Sequence, residues 1–165
     1  MTPPAPAAQF IAHRVGNDPL AIAAWAGQAD LIEVDVHLWR GRLEVRHAKR
    51  AWPFARLWER RAGLLPRHSA VPDLETVLDV AARTGSALWL DCKGIDPRLF
   101  PRLATATDAV RPLTVSSKSW WLLGPFCRRR GEGVRVFRSA GNRLELLLAR
   151  RLPSRLRLDG LVVHE

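Results

Sequence analysis

The chain has 165 residues, enough for one domain with its own core, and 47% of them are hydrophobic, which excludes a disordered polymer. No apolar run approaches the roughly 20 residues that span a bilayer, so no transmembrane segment is read. The formal charge is +10, carried almost wholly by arginine; this favours anionic partners, yet no nucleic-acid fingerprint or zinc-ligand spacing accompanies it.

Residues 1–8 are small and Pro-rich and read as a flexible lead-in. They lack the basic start and apolar stretch of a signal peptide, from which a cytoplasmic location is expected. Residues 9–165 then read as one domain. Strand-like runs follow at Phe10–Arg14, Leu31–Val36, Leu43–His47, Leu88–Lys93, Leu113–Ser117, Val134–Arg138 and Leu161–His164. Helical patterns lie between them at Pro19–Ala29, at Asp73–Thr84 with Asp73 as a cap, and at Asn142–Arg150. This alternation predicts a parallel α/β architecture. Cys92 falls inside a strand pattern and reads as a small buried hydrophobe; with Cys127 it is too few for a disulfide framework. Arg128-Arg129-Arg130 reads as a solvated loop or helix end.

Side chains alternate across a strand. In the second run Ile32, Val34 and Val36 share one face, and Glu33 and Asp35 share the other. In the fourth, Asp91 and Lys93 oppose Leu90 and Cys92. Acids at the C-terminal halves of parallel strands stand where such sheets bind ligands. Glu33 alone would read as a surface acid. Glu33, Asp35 and Asp91 together would repel one another unless a cation neutralised them, and oxygen-only ligation suits Mg²⁺ or Ca²⁺. His13 ends the first run and His47 closes the third. Beside an acidic cluster they suggest a general acid and a general base. Arg14 could hold a phosphate bidentately, and Lys93 a second phosphate oxygen, unless it pairs with a neighbouring carboxylate. His37 and His68 read as structural or solvated, with His164 and Glu165 as outside candidates. Trp120 and Trp121 read as packing residues that could instead line a pocket mouth.

These residues resemble the glycerophosphodiester phosphodiesterase family. Ile11-Ala12-His13-Arg14-Val15-Gly16 is similar to its opening His-Arg-Gly, with the glycine one place later. Gln28-Ala29-Asp30 leading to Glu33-Val34-Asp35 resembles its Gly-Ala-Asp segment and Glu-x-Asp strand. Val45-Arg46-His47-Ala48 resembles its Val-x-His-Asp, with Ala48 in place of Asp. Pro72-Asp73-Leu74-Glu75, Asp91-Cys92-Lys93 and Ser116-Ser117 resemble its later helix start, acid-x-Lys strand and Ser-Ser strand end. The six motifs keep the family order over about residues 10–117.

The resemblance implies a TIM-type (β/α)8 barrel that cleaves glycerophosphodiesters to an alcohol and glycerol phosphate with a divalent metal. It implies His13 and His47 as the acid/base pair and Glu33, Asp35 and Asp91 as metal ligands. The substrate implied is a small-molecule or lipid-derived phosphodiester. Asp91 stands where bacterial members more often have Glu, and there resembles phospholipase D-type toxins acting on sphingomyelin and lysolipids. A choline lysophospholipid substrate therefore stays open. So does a degenerate, basic module binding anionic lipid or nucleic acid, in which the acids would be scattered or paired with arginine. Such a barrel takes about 250 residues. About six strands are counted here, so one or two final βα units are expected to be missing, and the chain alone is expected to be poorly soluble, oligomeric or nearly inactive.

Overall fold

The computed structural model of the chain describes residues 9–51, 56–59, 63–65, 71–151 and 158–163. The expected lead-in 1–8, His68, His164 and Glu165 lie outside the described residues. The strands are β1 (Ile11–Ala12), β2 (Leu31–Trp39), β3 (Arg42–Val45), β4 (Lys49–Ala51), β5 (Arg56–Glu59), β6 (Gly63–Leu64), β7 (Leu88–Cys92), β8 (Leu113–Ser117), β9 (Val134–Ala140) and β10 (Gly160–Val163). The α-helices are α1 (Pro19–Trp25), α2 (Leu74–Thr84), α3 (Leu99–Ala106), α4 (Gly124–Cys127) and α5 (Arg143–Arg151), with 3₁₀ turns at Val15–Asn17 and Trp120–Leu122.

Six strands pair in parallel in the order β1-β2-β7-β8-β9-β10, and β3 pairs antiparallel with the far end of β2. Helices connect the parallel strands, so the sheet is the wall of a TIM-type barrel, open between β1 and β10 among the described residues. A separate small sheet, β4-β5-β6, lies in the segment between β3 and α2.

The register keeps the two faces chemically distinct. Val34 pairs with Leu90 and Leu90 with Val115, so the outer face is continuously apolar. It packs against Leu74, Val77 and Ala81 of α2 and Leu99, Phe100 and Leu103 of α3 in one core. Asp35 pairs with Asp91 and Asp91 with Ser116, so the inner face carries the polar residues.

Several elements differ from the sequence reading, for local reasons. β1 is only two residues long because the backbone turns out of the sheet at Arg14, whose φ is 63°. β2 runs three residues past Val36 because β3 folds back on it through the turn at Arg40-Gly41. α3, unread in the sequence, starts after Asp96, whose carboxylate accepts from the Arg98 N–H, and continues through Pro101. Asp73 caps α2 by accepting from the Thr76 N–H, and Asn142 accepts from Glu145 at the start of α5. Arg129 donates to the carbonyls of Ala104 and Thr107 at the end of α3, so the middle arginine of the triplet is a helix-end ligand.

Gly16 shows how closely the β1–α1 turn is pressed onto β2. A Cβ there would stand 2.3 Å from Val34 Cγ2 and 2.5 Å from the Glu33 carbonyl oxygen. Gly16→Ala is expected to cost about 1–3 kcal/mol by overpacking, read as a lowered urea midpoint with an unchanged slope. A variant as stable as the parent would mean that the turn is not seated on β2.

Candidate active site

Glu33, Asp35 and Asp91 each place a carboxylate oxygen within 4.8 Å of the others. All three are buried, Asp35 completely at 0% exposure. Each is held by a different element. Glu33 Oε2 accepts from the Arg14 N–H at 3.0 Å and pairs with His13 Nε2 at 3.0 Å. Asn17 clasps Asp35 twice: its amide donates to Asp35 Oδ2 at 2.7 Å, and its carbonyl accepts from the Asp35 N–H at 2.8 Å. Ser116 donates to Asp91 Oδ1 at 2.9 Å and accepts from the Trp89 indole at 2.9 Å. Lys93 enters between the two aspartates. Its Nζ lies 2.8 Å from Asp35 Oδ1 and bonds Asp91 Oδ2.

The electrostatics follow from this packing. Burial pushes Glu33 up to about 7, with Asp35 and Asp91 adding to the rise and the Arg14 N–H and Lys93 opposing it. Burial would raise Asp35 too, but Lys93 and Asn17 outweigh it and hold it below the ordinary carboxylate range. Burial works against the Lys93 charge, yet Asp91 and Asp35 overcome it and hold the ammonium above the ordinary lysine range.

His47 follows β3 in a turn that is fastened to the same cluster. The Arg46 N–H donates to the Asp35 carbonyl at 3.0 Å. The buried Arg46 guanidinium donates to Glu44 at 2.9 Å and to the Ala48 carbonyl, bridging the residues on either side of His47. The His47 imidazole in turn helps to stabilise the Asp35 charge. The Arg14 side chain is exposed. The structure therefore brings together His13, Glu33, Asp35, Asp91 and Lys93, with His47 on the adjoining turn and the Arg14 side chain in solvent.

Asn17, Arg46 and Trp89 were not singled out by the sequence, nor was Ser116 given a role. Strand parity could have found Ser116, which stands in register with Asp91. His37 shares the parity of Glu33 and Asp35, so it stands on the site face. Its Nε2 is buried without a hydrogen-bond partner among the described residues, and burial and then Arg46 push it down to about 4. Trp121 is 56% exposed and is not a core residue, whereas Trp120 lies under the Arg138 guanidinium.

The cluster fits a hard divalent cation: its donors are all buried carboxylate oxygens, and one ammonium, Lys93, stands against three acids. Two surface cavities, about 570 and 780 Å³, lie elsewhere: one between the β2–β3 turn and helices α2 and α3, the other at the N-terminal ends of the strands. Neither is lined by the acids.

Three solved structures share this fold. A phosphodiesterase from Oleispira antarctica, in complex with the product sn-glycerol-3-phosphate, matches with a TM-score of 0.65 at 16% identity, over 95% of this chain and 75% of that one. A glycerophosphodiester phosphodiesterase from Thermotoga maritima matches with a TM-score of 0.53 at 16% identity, over 96% of each chain. A third, from Agrobacterium tumefaciens, matches with a TM-score of 0.50 at 16% identity, over 94% of this chain and 96% of that one. No protein-family model and no curated protein matches the sequence. The likeness shows the barrel fold, and it is the fold that the sequence motifs imply.

Glu33 makes stability depend on pH in a stated direction. Its folded pKa of about 7 lies above the 4.5 of the free side chain, so between those values the folded chain keeps a proton that the unfolded chain has lost. Stability from this group is full below pH 4.5, falls as pH rises, and levels off above pH 7. Unfolding titrations of wild type and Glu33→Gln should therefore diverge in favour of the variant across that window, by up to about 3 kcal/mol. A difference that does not vary with pH would mean that Glu33 ionises normally.

Proposed function

We propose that this chain is a phosphoric diester hydrolase that cleaves glycerophosphodiesters to an alcohol and glycerol phosphate, using a divalent cation and paired histidines. The observation that carries the reading is the convergence of Glu33, Asp35 and Asp91 beside His13, with His47 on the turn tied to Asp35. That convergence weighs against a plain basic binding module, whose acids would be scattered or paired with arginine. The glycerol phosphate product seen with the Oleispira antarctica phosphodiesterase of the same fold agrees with it.

Glu33, Asp35 and Asp91 would hold the cation, Mg²⁺ or Ca²⁺, whose charge would offset the negative charge that builds on the phosphoryl oxygens. His13 and His47 are the acid/base pair. One accepts the proton of the attacking hydroxyl as its oxygen bonds to phosphorus. The other donates a proton to the alkoxide as its bond to phosphorus breaks. Glu33 orients His13 through the 3.0 Å contact to Nε2, which directs Nδ1 away from the acid. Arg14 reaches into solvent and is available to the incoming phosphodiester, and Lys93 adds positive charge beside the acids.

A choline lysophospholipid is a second substrate reading. It is favoured by Ile95 and Trp121, 77% and 56% exposed, in the loops after β7 and β8 at the end of the sheet that carries the acids. There they could meet an acyl chain.

The test is hydrolysis of glycerophosphocholine and of lysophosphatidylcholine with Mg²⁺ or Ca²⁺, with and without chelator. Whatever turnover the chain shows should require one of these ions and vanish with chelator. His13→Ala and His47→Ala should each lower turnover by at least about a hundredfold with the fold intact by circular dichroism. A histidine variant that keeps wild-type turnover would remove that residue from the mechanism.

A further inference from the structure

We infer that the Lys93 ammonium and a divalent cation compete for the same oxygens of Asp35 and Asp91, so that Lys93 limits how tightly the site binds its ion. The inference rests on the metal reading above and concerns what one residue of the cluster does to it.

The hydrogen bonds of the cluster sort its oxygens into two groups. Glu33 Oε2 is engaged by His13 and the Arg14 N–H, Asp35 Oδ2 by Asn17, and Asp91 Oδ1 by Ser116. These bonds fix the carboxylates in place. The oxygens outside them are Glu33 Oε1, Asp35 Oδ1 and Asp91 Oδ2. Lys93 Nζ stands on the two aspartate oxygens, 2.8 Å from Asp35 Oδ1 and bonded to Asp91 Oδ2. An ammonium is a compact cation with no fixed fork geometry, and it occupies much the same place among oxygens as a hard metal ion does. An ion bound within about 2.0–2.6 Å of both oxygens would stand against the ammonium at its present place, and the two like charges repel.

The side chain has somewhere to go. Lys93 is the first residue after β7, and its side chain is 32% exposed, whereas those of Asp35 and Asp91 are 0% and 5% exposed. Displacement moves Nζ outward to the mouth, where an anionic substrate arrives. When all are ionised, three carboxylates and one ammonium leave two negative charges, which a divalent ion neutralises. The displaced ammonium is therefore not expelled from the site; it is released from the aspartates and becomes free to meet phosphate. Lys93 would then act in turn as the counter-charge of the acids and as a contact for the substrate.

The prediction runs against the usual loss on mutating a metal-site residue. Calcium binding is measured by calorimetry at pH 8 on chelator-stripped wild type, Lys93→Met and Lys93→Arg. The Met variant is expected to bind at least about tenfold more tightly, because the competing charge is gone, and the Arg variant, which keeps it, to bind less tightly than the Met variant. Equal or weaker binding by the Met variant overturns the inference and makes Lys93 a support that the cluster needs. If the wild type and every variant bind neither Ca²⁺ nor Mg²⁺, the metal reading fails and the inference falls with it. Binding in all three with equal affinity sinks the inference alone.

A second measurement uses the unaltered chain and needs no variant to fold. The sequence has three lysines, Lys49, Lys93 and Lys118, and the other two are exposed. Acetylation by acetic anhydride, mapped by mass spectrometry, should rise at Lys93 when Ca²⁺ is added and stay constant at Lys49 and Lys118. Lys93 labelling that is unchanged or reduced by Ca²⁺ contradicts displacement.

Discussion

Three carboxylates within 4.8 Å of one another repel, and that repulsion is the constraint around which the rest of the site is arranged. The chain meets it in three ways. Glu33 retains a proton to about pH 7 and shares its other charge-stabilising contacts with His13 and a backbone N–H. Asp35 stays ionised because an amide clasps it from one side and an ammonium faces it from the other. Asp91 takes a hydroxyl and the same ammonium. A cluster so balanced is stable enough to persist and still lacks enough positive charge, which is the condition for binding a divalent ion and then an anionic ester.

A parallel sheet delivers such a cluster with few residues. Strand alternation sends Glu33 and Asp35 to one face while Ile32, Val34 and Val36 build the core on the other. Register then sets Asp91 beside Asp35 and Ser116 beside Asp91. The unfavourable burial of charge is offset by the apolar packing on the reverse of the same strands, where Val34, Leu90 and Val115 are 0% exposed. Position in the fold and chemistry of the site are thus two faces of one alternating pattern.

That pattern explains what the sequence discloses and what it hides. The acids, the histidines that follow their strands and the parallel α/β architecture are readable because periodicity and order are local properties of the chain, and the barrel is what the family resemblance adds. Asn17 is not, because nothing near it in sequence says that a turn will be pressed against Asp35, 18 positions away. Arg46 hides for the opposite reason. Its guanidinium is drawn inward by Glu44 and the Ala48 carbonyl, contacts that no motif or periodicity marks. His37 reads as structural or solvated although its parity matches, since parity places a side chain on a face and says nothing of whether it finds a partner there. β1 is shorter than its apolar run because the departure at Arg14 is a backbone event, a left-handed residue that no composition announces.

The clasp between Asn17 and Asp35 ties the turn after β1 to the middle of β2 at two points, through side chain and main chain together. Gly16 lets that turn lie against β2, and the Arg14 N–H adds a third tie at Glu33. His13, Asn17, Glu33 and Asp35 are therefore one mechanical body, though they come from two stretches of chain. In a mutational map they should behave epistatically. Breaking one tie loosens all four groups, so a double substitution within the set would cost little more than the worse single one. The tolerance of any one of these positions to drift is then set by the other three, and the turn and the strand would evolve as a single unit.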